Sequence, residues 1–396
     1  MTALWLDIAR LLERAVVGSF TGIDRVELAY AENLLTLAPD RTKFVTLNRW
    51  SSRFSTLPNR PVRHFLAAVR QAWSDGDIRP CQAKALRLMG GAVFSLPPRD
   101  LKAVYLLVSH RHLHRQAALE SALRRSGAAF VPLIHDLIPL EFPEYGRPGE
   151  AERHRRRIAT VRQLANAVVV NSAATGAALA PYLPSGRPLL VAPLGVEAMP
   201  DPAPAEVPDN ARPYFLVVGT IEPRKNHLLL LHLWRRLIER HGDRAPRLMI
   251  IGRRGWENEN VLDLLDRCEA LRGHVTECGA VHDDTMARLM SSARALLMPS
   301  FAEGFGLPVA EALACQTPVL CSDLPALREA GGDVPDYLDP LDTPAWEAAI
   351  MDYTADPSVR RTAQLARMPH WHPTRWEPHV STVLDFALGQ SNGRPT

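Results

Sequence analysis

The chain contains no apolar stretch long enough to span a bilayer, and its opening MTALWLDIARLLERAVVGSF is interrupted by Asp7, Arg10, Glu13 and Arg14. Neither a membrane-spanning helix nor a secretory leader is expected on that ground. It has no CxxC spacing among its five cysteines, Cys81, Cys268, Cys278, Cys315 and Cys321. That odd, scattered set speaks against a zinc site or a disulfide framework and for reduced, mostly buried thiols in a cytoplasmic protein. No GxGxxG follows a strand pattern, which disfavours a nicotinamide dehydrogenase. Aromatic residues make up only 7% of the chain. None of them is interleaved with basic residues in a nucleic-acid-binding motif, so no nucleic acid is expected as a partner.

What is present is the material of a soluble globular protein: 46% hydrophobic and 22% charged residues in 396. That length exceeds one ordinary core and predicts two domains. The formal charge of +3 conceals an asymmetry. Residues 1–200 carry 26 Lys and Arg against 16 Asp and Glu, a net of +10, whereas residues 201–396 carry 20 against 27, a net of −7. The basic half suggests an anionic partner such as a membrane face or a phosphorylated acceptor.

In the second half, short apolar runs at 214–219, 247–252, 274–280, 295–300 and 318–323 alternate with amphipathic helical segments. This pattern predicts a parallel sheet covered on both faces. The first half repeats it at 3–8, 43–48, 103–110, 128–136, 166–172 and 188–196, with helices near 23–37, 112–126 and 150–165. Residues 50–100 support only two arginine-dotted helical patches. The proline-rich EAMPDPAPAEVPDNARP, 197–213, reads as a linker. The division is therefore 1–196, linker 197–213, 214–374, and a final helix with its tail at 375–396. Two doubly wound domains place ligands outside the carboxyl ends of their strands, so functional residues belong just after strands.

Four stretches fit that rule. FAEGFGLPVAEALA (301–314) ends a strand with a glycine-rich turn and begins a helix with Pro308 in its first turn. Gly304 and Gly306 allow close backbone approach to a ligand, and the free N–H groups of the helix start favour an anion. Glu303 and Glu311 are acceptor-only groups suited to paired hydroxyls such as a ribose diol. The competing structural reading pairs Glu311 with an arginine and leaves Glu303 solvated. In VVGTIEPRKNH (217–227), Arg224 and Lys225 offer a guanidinium fork and a point charge to a pyrophosphate, unless they are a solvated basic pair. In PLIHDLIP (132–139), His135 follows a strand, where its imidazole can donate to or accept from a substrate hydroxyl. In GSFTGIDRVELAY (18–30), Gly22 opens a helix where a loop could fold over a phosphate.

Other patterns carry less. HRHLHR (110–115), taken as helical, would not bring its histidines to one face, which argues against a metal there. DGD (75–77) and GGAVFSLPP (90–98) read as turns, and ERHRRR (152–157) as a solvated helix face, with a membrane surface as its alternative.

Together these residues resemble the retaining glycosyltransferases of family 4, whose GT-B fold is α/β: two facing Rossmann-like domains with a C-terminal helix crossing back to the first. The likeness covers nearly the whole chain and is strongest at 299–329, which is similar to that family's Glu-x7-Glu signature. It implies that Glu303 contacts the donor sugar, with the Phe305, Gly306 and Leu307 backbone nearby and Glu311 on the ribose. It also implies that Lys225 and Arg224 hold the pyrophosphate, that His135 lies near the reacting carbon, and that Gly22 lies at the phosphate. Many members carry arginine directly after the loop glycine. Here that position is Thr220, which shifts more of the charge to Arg224. Base-reading residues are expected around Gly252–Arg254 and Gly279–Val281, with Arg253 and Val281 as candidates.

The resemblance implies transfer of a hexose with retention, from a nucleotide sugar to a saccharide or polyprenyl-linked acceptor in surface-polysaccharide synthesis. GTIEPRKN and HDLIPLEFPE look most like bacterial members that use GDP-mannose, with a UDP-sugar as the alternative. No carboxylate pair reads as nucleophile and acid, so double displacement is not supported. Front-face attack, with Arg224 and Lys225 neutralising the leaving diphosphate, needs no metal and no further cofactor. The expected location is cytoplasmic, at the inner membrane face if the basic half meets anionic lipid. Two other readings remain open: a nucleotide-sugar epimerase on the same fold, and a non-catalytic nucleotide-sugar-binding partner.

Overall fold

The computed structural model describes residues 1–48, 50–197 and 212–390. Most of the predicted linker, 198–211, and the last six residues of the predicted tail lie outside the described residues. The chain divides into two units, the first comprising Met1–Leu140, Gly149–Gly195 and Thr374–Thr396, the second Glu141–Pro148 and Val196–Pro373.

The first unit is built on seven strands, β1 (Ala3–Asp7), β2 (Thr42–Leu47), β3 (Phe54–Leu57), β4 (Ala103–Leu107), β5 (Ala129–Ile134), β6 (Val168–Val170) and β7 (Leu189–Val191). Their order is β3-β2-β1-β4-β5-β6-β7. All neighbours are parallel except β2 and β3, which pair antiparallel from Phe44 with Leu57 to Leu47 with Phe54. β1, β4 and β5 are buried along their whole length. This is why they read as continuous apolar runs rather than alternating ones. Trp5, Phe54, Tyr105 and Phe130 lie at the centre of the core, with Phe54 and Tyr105 ring centroids 4.5 Å apart.

Residues 50–100 hold more than the two expected helical patches: β3 precedes helices Asn59–Asp75 and Arg79–Phe94. The strand is only four residues long and lies at the sheet edge, too short for its period to register. Gly90 and Gly91, read as a turn, lie inside the second of these helices. HRHLHR is not helical either. It forms a turn in which His112 has φ +69°, and the helix begins only at Gln116. In ERHRRR the arginines face solvent or pair with Glu150 and Glu152, but His154 is buried.

The final helix, Trp376–Gly389, belongs to the first unit. His379 anchors it through both ring nitrogens. A carbonyl can only accept, so Nδ1 donates to Pro193 O (2.8 Å), and the remaining Nε2 accepts from the Tyr30 hydroxyl (2.7 Å). Burial holds this histidine at about 4, so the arrangement stays neutral.

The second unit carries six parallel strands, β8 (Tyr214–Val218), β9 (Arg247–Ile251), β10 (Val275–Gly279), β11 (Ala295–Met298), β12 (Val319–Ser322) and β13 (Asp336–Leu338). Their order, β10-β9-β8-β11-β12-β13, is the doubly wound Rossmann order with its switch point between β8 and β11. β13, three residues with only Leu338 buried, was not legible as a strand. Phe215, Trp234, Trp346 and Tyr353 fill the core.

The end of β1 carries an unusual group. Asp7 has no exposed surface. Its Oδ1 accepts from Ala9 N–H (2.8 Å), its Oδ2 from the Tyr105 hydroxyl (2.9 Å), and His112 Nε2 lies 3.5 Å away. Burial raises its pKa from 3.8 to about 7, outweighing those hydrogen bonds and Arg111. Between these two values the folded chain holds a proton that the unfolded chain has lost. The Asp7 contribution to stability is therefore complete at low pH and is lost as pH rises through about 7. His112, pushed by burial to about 3, stays neutral over that range. Replacing Asp7 with Asn should thus change the melting temperature in a pH-dependent way. Relative to wild type, the variant should gain several degrees between pH 5 and pH 8 in calorimetric scans, and a constant offset would refute the assignment.

Candidate functional site

At the switch point of the second unit, the loops after β8 and β11 emerge side by side. The loop after β8 is fastened to the loop after β9: Gly219 N–H donates to Ile251 O, Ile221 N–H to Arg253 O, and Gly255 N–H to Ile221 O, each at 2.9 Å. This closeness demands glycine, since a Cβ on Gly252 would lie 1.8 Å from the Gly219 carbonyl oxygen. The chain then makes a single 3-10 turn, Pro223–Lys225, passes Asn226 at φ +55°, and starts helix His227–His241.

That turn meets the loop after β11. Phe301 N–H donates to Arg224 O (2.8 Å), and Arg224 Nη1 donates to Ala302 O (3.0 Å). Four charged side chains close the joint. Glu303 Oε1 lies 2.5 Å from Lys225 Nζ, Glu303 Oε2 lies 2.8 Å from Arg224 Nη1, and Glu222 Oε1 lies 2.5 Å from Arg224 Nε. The Glu303 side chain is only 7% exposed. Burial acts to raise its pKa, but Arg224 and Lys225 together outweigh it and hold the carboxyl at about 2. Burial also draws the Lys225 ammonium below its ordinary range, with Arg224 adding to the effect. Neither solvated alternative survives: Glu303 is not in free solvent, and Arg224 and Lys225 are not an exposed basic pair.

Helix Leu307–Ala314 follows directly. Its N-cap, Gly306, has φ +100°, and a Cβ there would meet Leu327 Cδ2 at 2.4 Å. Pro308 sits in the first turn as the sequence predicts, and Glu311 lies in the second turn, half-buried. The Phe305 side chain is buried and Gly304 and Leu307 are half-buried, so this stretch presents mainly backbone. Thr220 is half-buried in the loop after β8, Arg253 is exposed after β9, and Val281 is half-buried after β10. Neighbouring Arg254 is taken by Glu277 and Asp266, both within 3 Å, so it is already charge-compensated.

In the first unit, His135 follows β5 with its ring buried. Nε2 donates to Val108 O at 2.8 Å, which leaves Nδ1 as the unprotonated nitrogen, and burial keeps the ring neutral by lowering its pKa. Sequence reasoning missed its surroundings. His110 packs edge-on against both His135 and His154, with centroids 5.5 and 5.3 Å apart. His154 had been grouped with exposed arginines, and HRHLHR had been taken as helical. Among the described residues no group of three His, Cys, Asp or Glu side chains could hold a metal ion.

Gly22 is the first residue of helix Gly22–Leu37. The helix is capped by Thr21 and by the buried Asp24, whose Oδ2 accepts from Thr21 N–H at 2.6 Å. Arg10 joins this cap, its Nε 2.8 Å from Asp24 Oδ1 and its Nη2 3.0 Å from Thr21 Oγ1. The capping box T-x-x-D was the signal available in the sequence for Asp24.

Solved structures share this architecture. Sucrose-phosphate synthase from Thermosynechococcus elongatus matches 98% of this chain and 99% of its own at a TM-score of 0.66 and 16% identity. Anabaena HepE, solved with UDP, matches 98% and 100% at 0.59 and 14%. Identities this low establish the fold alone, and that fold is GT-B, with two Rossmann-like units. Within it, residues 203–335, the segment bearing the charge cluster, match the family described as glycosyl transferases group 1. O-antigen chain mannosyltransferase B of Escherichia coli is 37% identical over 172 residues, 43% of this chain. The chain spans less than half, 45%, of that relative's length.

The cluster makes a direct prediction. Lys225→Met leaves Glu303 with a single cation in a nearly dry setting. It should cost about 3 kcal/mol in urea unfolding, as expected when one partner of a buried ion pair is removed. Adding Glu303→Gln should recover most of that loss. Equal instability of the single and double variants would show that Lys225 matters for its packing and not for its charge.

Proposed function

We propose that this chain is a retaining glycosyltransferase that moves a hexose, best supported as mannose, from a nucleotide sugar to a saccharide or lipid-linked saccharide. The observation that carries the reading is the Glu303–Arg224–Lys225 cluster, held at the switch point of a sheet within the stretch that matches the group 1 glycosyl transferases. Two cations, a glycine-flanked helix start and a carboxylate within one loop pair suit a sugar diphosphate. Glu303 now neutralises the cations. A diphosphate arriving on Arg224 and Lys225 would release that carboxylate to accept from sugar hydroxyls, while Glu311 takes the ribose diol. Thr220, Arg253 and Val281 line the strand ends where the base would lie.

In the proposed reaction the anomeric carbon–oxygen bond to the diphosphate breaks. The acceptor oxygen bonds to that carbon on the same face, and its proton passes to the departing phosphate oxygen. Arg224 and Lys225 stabilise the charge that develops there, and neutral His135 holds the incoming sugar or acceptor. On this account no metal is required. GDP-mannose is favoured because the relative above is a mannosyltransferase acting on O-antigen chains; a UDP-sugar is the alternative, since UDP occupies a solved structure of the same fold.

No helix among the described residues is long and apolar enough to cross a membrane. A peripheral contact with anionic lipid is proposed instead. It is supported by exposed Phe94, Leu96 and Leu101 in the same unit as a hollow lined by Arg60, Lys84 and Arg87. Phe94→Glu with Leu96→Glu should abolish sedimentation with phosphatidylglycerol vesicles at low salt, and unchanged sedimentation would remove this surface from consideration.

The activity is tested by incubating the purified protein with GDP-mannose or UDP-glucose and mannose-terminated oligosaccharides in the presence of chelator. Nuclear magnetic resonance then reads the anomer formed. The expected product is the α-linked sugar from GDP-mannose, with kcat/KM falling about 100-fold in Lys225→Ala. Inverted product, or activity only after magnesium or manganese is restored, would overturn the mechanism. Conversion of donor without any acceptor would indicate an epimerase.

A further inference from the structure

The segment Glu141–Pro148 packs with the second unit, although the chain on either side of it belongs to the first. It begins five residues after Asp136. Its short 3-10 turn, Pro143–Tyr145, carries a stack of rings. Phe142 lies on Tyr145 with centroids 5.9 Å apart and planes inclined by 28°. Tyr145 in turn lies on Phe301 at 5.6 Å and only 9° from parallel. Two further contacts fix the segment. Trp256 Nε1 donates to Tyr145 O at 3.1 Å, and the Arg147 guanidinium sits 4.9 Å from the centre of the Trp256 ring.

Phe301 is where this strap meets the charge cluster. Its N–H is bonded to the carbonyl of Arg224, and Glu303 follows two residues later. The backbone atoms of Phe301 thus join the loop after β11 to the turn that bears both cations. The Phe301 ring is held by near-parallel stacking on Tyr145. Phe142 remains 37% exposed and Tyr145 and Phe301 are half-buried, so the ladder is a surface brace and not part of the core.

We propose that Tyr145 is a positioning residue for the nucleotide-sugar site. By stacking on Phe301 it holds the loop of Glu303 in register with the turn of Arg224 and Lys225, so that the diphosphate meets both cations at once. The inference rests on the donor site proposed above. An aromatic pair of this kind contributes enough to change affinity about threefold to tenfold. The benefit is confined to ligands that engage the cations; a ligand held mainly through its base and ribose gains little.

Calorimetric titration of the full chain with GDP, UDP, GMP and UMP tests this. Tyr145→Ala should weaken binding of whichever diphosphate the wild type prefers about threefold to tenfold, while binding of the matching monophosphate stays within about twofold. Tyr145→Phe, which keeps the ring and removes the hydroxyl, should restore the lost affinity. Phe301→Ala should reproduce the loss, and the double variant should lose no more than either single one. Equal weakening of diphosphate and monophosphate would mean general loosening and would overturn the inference. So would unchanged diphosphate affinity in Tyr145→Ala, or a Tyr145→Phe variant as weak as Tyr145→Ala. Failure of the wild type to bind any of the four nucleotides would instead bring down the donor site itself.

Discussion

A carboxylate removed from water must find cations, and cations removed from water must find carboxylates; this constraint organises the second unit. Glu303 holds Lys225 and Arg224, and Arg224 in turn holds Glu222, all four nearly or largely out of solvent. Deleting any one of them leaves the buried charges unbalanced. The pairing ties two loops that are far apart in sequence, after β8 and after β11, and it is possible only because those strands are neighbours at the sheet's switch point. Two acids balance two bases there, so on the proposed reading an incoming diphosphate would exchange partners with Glu303 and would not enter an empty basic hole.

The backbone around the cluster is fixed with equal economy of space. Gly252 passes so close to the Gly219 carbonyl that no side chain fits, and the ladder between the loops after β8 and β9 follows from that approach. Gly306 supplies the left-handed residue that turns the loop of Glu303 into its helix. The loop geometry is thus set by hydrogen-bonded backbone, with side-chain charge and the Tyr145–Phe301 stack laid over it.

The first unit uses a different device. Its loops rest on neutralised buried groups: Asp7 holding its proton to about 7, His112 at about 3, His379 at about 4, and His135 with its Nε2 proton committed to Val108 O. Burial favours the uncharged form in each case. Asp24 is instead paired with Arg10 at the cap of helix Gly22–Leu37. A neutral histidine with one nitrogen committed to the backbone is oriented but not charged, which suits a group proposed to hold a hydroxyl.

Much of this was legible in residue order, and the reason is local. Buried parallel strands are continuous apolar runs, so β1, β4, β5, β8 and β11 were visible, and the loops directly after them carried His135, Arg224, Lys225 and Glu303, with Glu311 in the helix that follows. The four-residue β3 and three-residue β13 were too short to show a period, and Gly90 and Gly91 proved to be helical because the surrounding helix tolerates them. HRHLHR was assigned to a helix because nothing local announces the left-handed His112.

Sequence alone therefore determined the strand–loop–helix grammar and the residue types at each strand end, since these depend on neighbours in the chain. Only the tertiary structure decided which strand ends are adjacent. That adjacency made Glu303 the partner of two cations nearly 80 positions away, and brought Tyr145 out of the first half of the sequence onto Phe301. Strand order is a property of the whole sheet, and charge pairing and ring stacking act through space, so neither is written in any single window of the chain.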